Sequence, residues 1–313
     1  MSFRPVHGEF SDPFPVTSGN GSVKIIDFDE YRPAVATAAD GSIAVVWSDT
    51  QGNMMLSLGE DHGREFSDPV QLNGGGKTMR GFPSAAFWGK TLYIVWIDPR
   101  DAANDQEEPA HLYMATVARG RAVEENITAD LTPSVCGCCR PSLVANRDGQ
   151  LDVYFRNASE DGYRDMYTMT RDTNGQWSEP LRLGPARWKI EGCPAAGPVV
   201  TAGGVVWRDM STGEAQIVAS RDPAVDLQEV GRSDDDHFFS HSPRRVQTRE
   251  RMPVVLAPGS PYGRVYGLRG GRWQVLMEDV PEWCTDMAWL EGQILMAGDL
   301  ATELKLEARP VNW

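Results

Sequence analysis

The feature that most limits how this chain can fold is a unit of short apolar segments that recurs six times. In the first copy, Arg32 precedes an apolar segment, a second segment runs from Ile43 to Trp47, and a third from Met54 to Leu58. The copies start roughly 40 to 60 residues apart. The later copies begin at Phe82, Arg140, Cys193, Ser242 and Cys284. Short strand-like segments that repeat with this period predict an all-β chain built of six equivalent sheets.

Six equivalent sheets predict a six-bladed β-propeller that forms one domain over residues 1–313. The sixth unit ends with its third strand at the C-terminus. The segment 10–13 (Phe-Ser-Asp-Pro) resembles 66–69 and 177–180, which each follow a third strand. We therefore expect the N-terminal strand to complete the last blade and to cover its edge. The long segments 98–110 and 222–239 are expected to be loops inserted on the faces.

The charge of the chain argues against two classes of partner. It carries 30 basic and 44 acidic residues, a net charge of −14, which disfavours binding to nucleic acid or to an anionic membrane. No apolar stretch is long enough for a transmembrane helix, and the first residues do not have the pattern of a signal peptide. We expect a monomer that is cytoplasmic as written, or periplasmic or secreted if a leader has been removed.

The five cysteines fall at related places in the repeat. Three of them lie in Cys136-Gly137-Cys138-Cys139, and Cys193 and Cys284 each precede a first strand. In the blade between those of Cys193 and Cys284, the residue at the equivalent position is His241. Residues just before the innermost strands of a propeller line one mouth of its channel, so these side chains are expected to converge. The metal ligands predicted on this basis are Cys138, Cys139, Cys193, Cys284 and His241.

Ligand softness favours copper in this predicted site, with zinc as the alternative. Thiolates with at most one imidazole suit Cu(I) or Zn(II), and a tetrahedral Cys₃His site would satisfy a structural zinc. The mouth of a propeller is open, which favours copper with a substrate-accessible face. Other interpretations are that buried cysteines pack as small apolar residues, or that the Cys-x-Cys-Cys run holds a disulfide.

Several arginines also fall at strand ends near the predicted mouth. Together they would make this mouth positive despite the acidic total and would favour an anionic small molecule as the substrate. They are Arg32, Arg80, Arg140, Arg156 and Arg208. We expect Arg140 or Arg32 to anchor the substrate, and His241 and Asp286 to complete the catalytic set. Trp188 and Trp283 are expected to wall the pocket.

Two hairpins give the chain a resemblance to a known family. The segments 59–66 and 170–177 resemble the Asp-box (BNR repeat) of sialidase-like propellers, whose pattern is Ser-x-Asp-x-Gly-x-x-Trp. The runs 136–139 (Cys-x-Cys-Cys) and 188–194 (Trp-x-Ile-x-Gly-Cys-Pro) are similar to those of a bacterial subgroup of that family. The resemblance implies a six-bladed propeller and, for the sialidases proper, exo-hydrolysis of sialic acid.

The chain departs from the catalytic pattern that the resemblance implies. It has no Phe-Arg-Ile-Pro motif near its start, and its last blade contains no tyrosine to serve as nucleophile. The sequence therefore favours a copper-dependent, thiolate-ligated protein, such as an oxidase or another redox enzyme that acts on a small molecule. The alternatives are a non-catalytic metal-binding or interaction propeller, and an exo-sialidase-like glycoside hydrolase.

Overall fold

Short apolar strands separated by turns fold back on one another, and in this chain they form a ring of antiparallel sheets. The computed structural model is nearly all β, with six blades around one axis. It describes Val16 and the ranges 32–74, 81–101, 110–131, 134–185, 187–192, 194–221, 227–232, 238–239, 242–246, 252–290, 293–300 and 303–310. The predicted fold class, a six-bladed β-propeller, is confirmed.

The first three blades each contain a meander in which neighbouring strands pair antiparallel. Blade 1 consists of β1 (Ala34–Thr37), β2 (Ile43–Ser48), β3 (Met54–Glu60), β4 (Glu65–Phe66) and β5 (Val70–Gln71). Blade 2 consists of β6 (Gly81–Trp88), β7 (Thr91–Asp98), β8 (His111–Ala118) and β9 (Arg121–Asn126). Blade 3 consists of β10 (Ser134–Val135), β11 (Ser142–Ala145), β12 (Leu151–Ala158), β13 (Met166–Arg171) and β14 (Leu181–Arg182).

The other three blades follow the same antiparallel order. Blade 4 consists of β15 (Val199–Thr201), β16 (Gly204–Asp209), β17 (Gln216–Ser220) and β18 (Gln228–Arg232). The short strands β19 (Phe238–Phe239) and β22 (Gly259–Ser260) pair with each other beside blade 5. Blade 5 consists of β20 (Arg244–Arg245), β21 (Val254–Ala257), β23 (Tyr262–Arg269) and β24 (Arg272–Pro281). Blade 6 consists of β25 (Cys284–Leu290), β26 (Gln293–Leu300) and β27 (Glu303–Pro310).

The apolar core lies between neighbouring blades. Trp96 of β7 packs with the residues of blade 1, and Phe155 of β12 packs with those of blade 2. Trp207 of β16 joins Met166 and Leu183 between blades 3 and 4. Two further clusters join blades 4 and 5, and blades 5 and 6. Each aromatic side chain buries a large apolar area between two sheets, so the ring is held mainly by contacts between blades.

One hairpin shows why a turn aspartate recurs in these blades. The carboxylate of Asp172 accepts hydrogen bonds from the main-chain N–H groups of Asn174 and Gln176, at 2.9 and 2.8 Å. Gly175, which lies between them, has a φ of +86°, a conformation that glycine adopts without strain. These hydrogen bonds lower the pKa of Asp172, the one from Gln176 most. The aspartate therefore stabilises the turn.

Two segments of the expected architecture concern the inserted loops and the closing strand. The segment 222–239 is not wholly a loop, because residues 228–232 within it form β18, the fourth strand of blade 4. The interpretation of 222–239 as one inserted loop was therefore wrong in part. The expected closing strand at 10–13 lies outside the described residues. Within the described part of the chain, no helix is long and apolar enough to cross a lipid bilayer.

Candidate metal and ligand site

The cysteine triplet forms the link between two strands of blade 3. The strand β10 pairs with the end of β12, and the main-chain N–H of Cys136 then donates to the carbonyl of Arg156, at 2.9 Å. This hydrogen bond turns the Cys136 side chain inward, next to Ala158. Cys136 and Cys139 are fully buried, whereas Cys138 is half-buried. The loop therefore places two sulfurs in the interior and one nearer to its surface.

The three sulfurs converge. The Sγ of Cys136 lies 3.4 Å from that of Cys138 and 3.5 Å from that of Cys139, and the remaining distance is 4.0 Å. Among the described residues, these side chains are the group with the spacing of metal ligands. Cys138 is disulfide-bonded, whereas Cys136 and Cys139 are free thiols. The cluster can hold a metal ion, and three thiolate ligands become available when the disulfide is reduced.

A buried arginine supplies positive charge to the cluster. The guanidinium of Arg156 donates to the carbonyl oxygens of Ala196, Arg164 and Arg208, at 3.0, 2.6 and 2.8 Å. Its side chain is 0 % exposed and stacks 4.9 Å from the ring centre of Trp188. All three of these acceptors are neutral carbonyl oxygens. A buried charge is costly unless an opposite charge lies near it, and the charge of Arg156 contributes to the lowered pKa of Cys136.

The two free thiols differ in acidity. The hydrogen bond that they share lowers the pKa of Cys136, and a main-chain hydrogen bond at Cys138 and the charges of Arg156 and Arg164 lower it further. Burial raises the pKa of Cys139 well above its usual range. Burial also lowers the pKa of Arg208, and the neighbouring charge of Arg156 lowers it further. Hydrogen bonding and nearby positive charge therefore dominate at Cys136, whereas burial dominates at Cys139.

The segment 194–197 covers the cluster from blade 4. The main-chain N–H of Ala196 donates to the sulfur of Cys139, while its carbonyl accepts from Arg156. Gly197 follows, and its N–H donates to Ser242 Oγ at 2.6 Å. A Cβ on Gly197 would lie 2.1 Å from the carbonyl oxygen of Arg140. A side chain at this position would therefore push apart the two segments that enclose the cluster.

A cavity of about 420 Å³ lies on the propeller axis, next to the cysteine loop. Its basic and acidic lining residues are Arg32, Arg140, Arg244, Arg245 and Asp286. Arg140 directly follows Cys139, and its guanidinium donates to the carbonyl oxygens of Arg32 and Pro83. Serines 84, 142 and 242 add hydroxyl groups to the lining. Among the described lining residues, four arginines against one carboxylate make this cavity suited to an anion.

The predicted site residues that the structure describes lie in three places. Cys138 and Cys139 lie in the sulfur cluster, together with Cys136, which the predicted ligand set left out. Arg32, Arg140 and Asp286 line the axial cavity. Cys193 and His241 lie outside the described residues, as does Arg80. Cys284 is packed elsewhere, among the apolar side chains between blades 5 and 6.

Two of the arginines expected at the mouth lie in the interior instead. Arg156 and Arg208 are 0 % and 7 % exposed and pack against Trp188 beside the cysteines. The expectation that they face the mouth was therefore wrong. Arg156 lies on β12, where residues alternate between the two faces of the sheet, and its side chain extends to three carbonyl groups of the interior.

We expect Cys284 to react more slowly with iodoacetamide at pH 8 in the native protein than in urea. Burial, and then the Asp286 carboxylate, raise the pKa of its thiol to about 12, so little of the reactive thiolate is present. Because the unfolded thiol ionises near pH 9, the stability that Cys284 contributes should be lost between pH 9 and 12. Alkylation of the native protein and of the protein in urea at pH 8, followed by mass spectrometry, measures the two reaction rates. Equal rates in the native and unfolded states would contradict it.

Comparison with known proteins identifies the architecture. No protein-family model matches the chain, and no curated protein is significantly similar to it in sequence. A sialidase of Trypanosoma rangeli in complex with sialic acid superimposes with a TM-score of 0.55 at 11% identity, over 93% of this chain and 55% of that chain. This chain thus spans about half the length of that sialidase.

Two further structures match a larger share of their own chains. A protein of unknown function from Dyadobacter fermentans superimposes with a TM-score of 0.57 at 11% identity, over 94% of this chain and 98% of that one. A PL25 polysaccharide lyase, an ulvan lyase, gives a TM-score of 0.59 at 11% identity, over 92% and 81%. At such identities the likeness establishes the fold alone. The chain is thus a six-bladed β-propeller of sialidase-like architecture that carries a cluster of three cysteines, two of them fully buried.

Proposed function

We propose that the protein binds a soft metal ion, Cu(I) in preference to Zn(II), through Cys136, Cys138 and Cys139. The observation that carries this proposal is the mutual approach of the three sulfurs within 4.8 Å. Soft thiolate ligands select Cu(I) or Zn(II) over harder cations. Binding by all three requires that the disulfide at Cys138 be reduced first, since the thiolate is the ligand.

The charges of the cysteine cluster and of the two arginines beside it favour a singly charged metal ion. Three thiolates and one Cu(I) have a net charge of −2, which Arg156 and Arg208 offset from buried positions beside Trp188. A structural zinc site takes four protein ligands, one more than the triplet supplies. Cys193 and His241, which the sequence predicts near the mouth of the propeller channel, are the residues proposed to add further ligands. If one of them binds, the site reaches the four ligands of a structural zinc, and zinc would then fit better than copper.

We propose that the axial cavity takes an anionic small molecule and that the protein is a redox enzyme, such as an oxidase, acting on it. Bound copper would supply one-electron chemistry. The chain would contribute Arg140 and Arg32 to hold the anion, and Asp286 and His241 as groups that move protons. Support for this comes from the sequence adjacency of Cys139 and Arg140, which joins the sulfur cluster to the arginine-lined cavity.

We expect the reduced protein to bind about one Cu(I) per chain. A Cys136→Ser/Cys139→Ser variant should lose this metal, because two of its three ligands become alcohols. The measurement is anaerobic titration against a chromogenic Cu(I) chelator, with elemental analysis of the desalted protein. Cys284→Ser is the matched control, since it removes a buried cysteine that packs between blades 5 and 6, and it should bind as the unaltered chain does. Equal binding by the double variant would contradict the proposal.

The axial cavity supports a second candidate, an exo-acting glycosidase for acidic sugars. It is favoured by the four arginines that line the cavity and by the sialidase-like architecture of the ring. Turnover of an aryl sialoside that survives chelators and the Cys136→Ser/Cys139→Ser change, but is lost in Arg140→Met, would support it. A metal-binding propeller without catalysis would bind copper and turn over neither kind of substrate.

A further inference from the structure

The cysteine loop brings a disulfide and two free thiols into contact. Cys138 is disulfide-bonded, whereas Cys136 and Cys139 are free. The Sγ of Cys136 lies 3.4 Å from that of Cys138, and the Sγ of Cys139 lies 4.0 Å from it. Disulfide exchange starts when a thiolate attacks a disulfide sulfur, so the position of Cys136 favours it as the attacking group.

We propose that this loop is a thiol–disulfide exchange site in which Cys136 attacks the disulfide at Cys138. The inference goes beyond metal binding, because the exchange takes place between sulfur atoms and requires no metal ion. The buried guanidinium of Arg156 donates to the carbonyl oxygen of Ala196, whose N–H donates to the sulfur of Cys139. The three main-chain hydrogen bonds of Arg156 fix the guanidinium in place.

The exchange is balanced without an added oxidant or reductant. A bond forms between Cys136 Sγ and Cys138 Sγ, while the bond between Cys138 and its present partner sulfur breaks. The electron pair of the broken bond stays on that partner sulfur, which takes up the proton that Cys136 has lost. One disulfide and two thiols are present before and after the step, so no net oxidation occurs.

The burial of the loop indicates where an external reactant enters. Cys136 and Cys139 are fully buried, whereas Cys138 is half-buried and is the most exposed of the three. A low-molecular-weight thiol would therefore attack Cys138 and form a mixed disulfide with it. Cys136 would then release that thiol by attacking the same sulfur. The class of substrate assigned to this site is thus a small thiol or its disulfide.

The test locates the disulfide in metal-free protein equilibrated anaerobically without added thiol. After acid quenching and unfolding, free thiols are blocked with light N-ethylmaleimide. The disulfides are then reduced, and their sulfurs are blocked with the heavy reagent. Trypsin does not cut the Arg140–Pro141 bond, so one peptide, 122–147, contains all three cysteines of the loop. Tandem mass spectrometry of this one peptide then shows which label each of the three cysteines carries.

We expect a population of peptides with heavy label on both Cys136 and Cys138, and the same pattern in Cys284→Ser. In Cys136→Ser the doubly labelled peptide should be lost, while heavy label stays on Cys138. Heavy label on Cys138 alone in the unaltered chain would overturn the proposal, as would light label on all three. Heavy label on Cys138 and Cys139 would overturn the choice of Cys136. The absence of metal keeps this result separate from the copper proposal.

Discussion

Arg156→Met is expected to lower the free energy of unfolding by about 3–5 kcal/mol, since it removes a buried charge that binds three main-chain carbonyls. Methionine keeps much of the apolar stem of the side chain but can donate to none of Ala196, Arg164 and Arg208. Each buried carbonyl left without a donor costs free energy. Cys136 would also lose a positive neighbour that lowers the pKa of its thiol. Chemical denaturation followed by tryptophan fluorescence measures the change.

The control for this variant lies in the same blade. Arg147 is exposed in the turn between β11 and β12, and Arg147→Met should change the free energy of unfolding by less than about 0.5 kcal/mol. The two variants have the same change of side chain and differ in burial. If they proved equally stable, the three hydrogen bonds of Arg156 would not be holding blades 3 and 4 together.

The repeat could be predicted from the sequence because it depends on local patterns. The strand from Ile43 and the one from Met54 begin as predicted, since each is a largely apolar run that follows a turn. The fourth strands β9 and β24 were not predicted. Their residues are largely exposed or half-buried, so they lack the apolar run that marks the inner strands.

The cysteine cluster could be predicted only in part, because side-chain direction depends on contacts distant in the sequence. The motif 136–139 indicated a site, yet Cys136 was left out of the ligand set. It turns inward through a hydrogen bond to Arg156, 20 residues away. Cys284 was included because it starts a blade. An irregularity in the pairing of β25 between Cys284 and Asp286 accompanies its placement with Met287 in the apolar core.

Gly197→Ala is expected to destabilise the protein by about 3 kcal/mol, the upper end of the cost of overpacking an interior. The added Cβ would lie 2.1 Å from the Arg140 carbonyl oxygen and 3.0 Å from the Arg140 nitrogen. Neither atom belongs to a flexible side chain, so the backbone itself must move. Arg140 joins Cys139 to the axial cavity, and residue 196 covers Cys139. We therefore expect copper binding to weaken along with stability.

Gly74→Ala is the matched control, because within the described part of the chain its Cβ would meet the ends of the Glu124 and Arg100 side chains, at 3.6 and 3.7 Å. These are ordinary contact distances, so this variant should unfold at the same denaturant concentration as the unaltered chain. Gly197→Ala should unfold earlier and, when folded, bind Cu(I) less tightly than Gly74→Ala does. Unchanged stability in Gly197→Ala would mean that residues 194–197 do not pack on the cysteine loop. Lower stability with unchanged copper affinity would mean that this packing supports the ring without shaping the metal site.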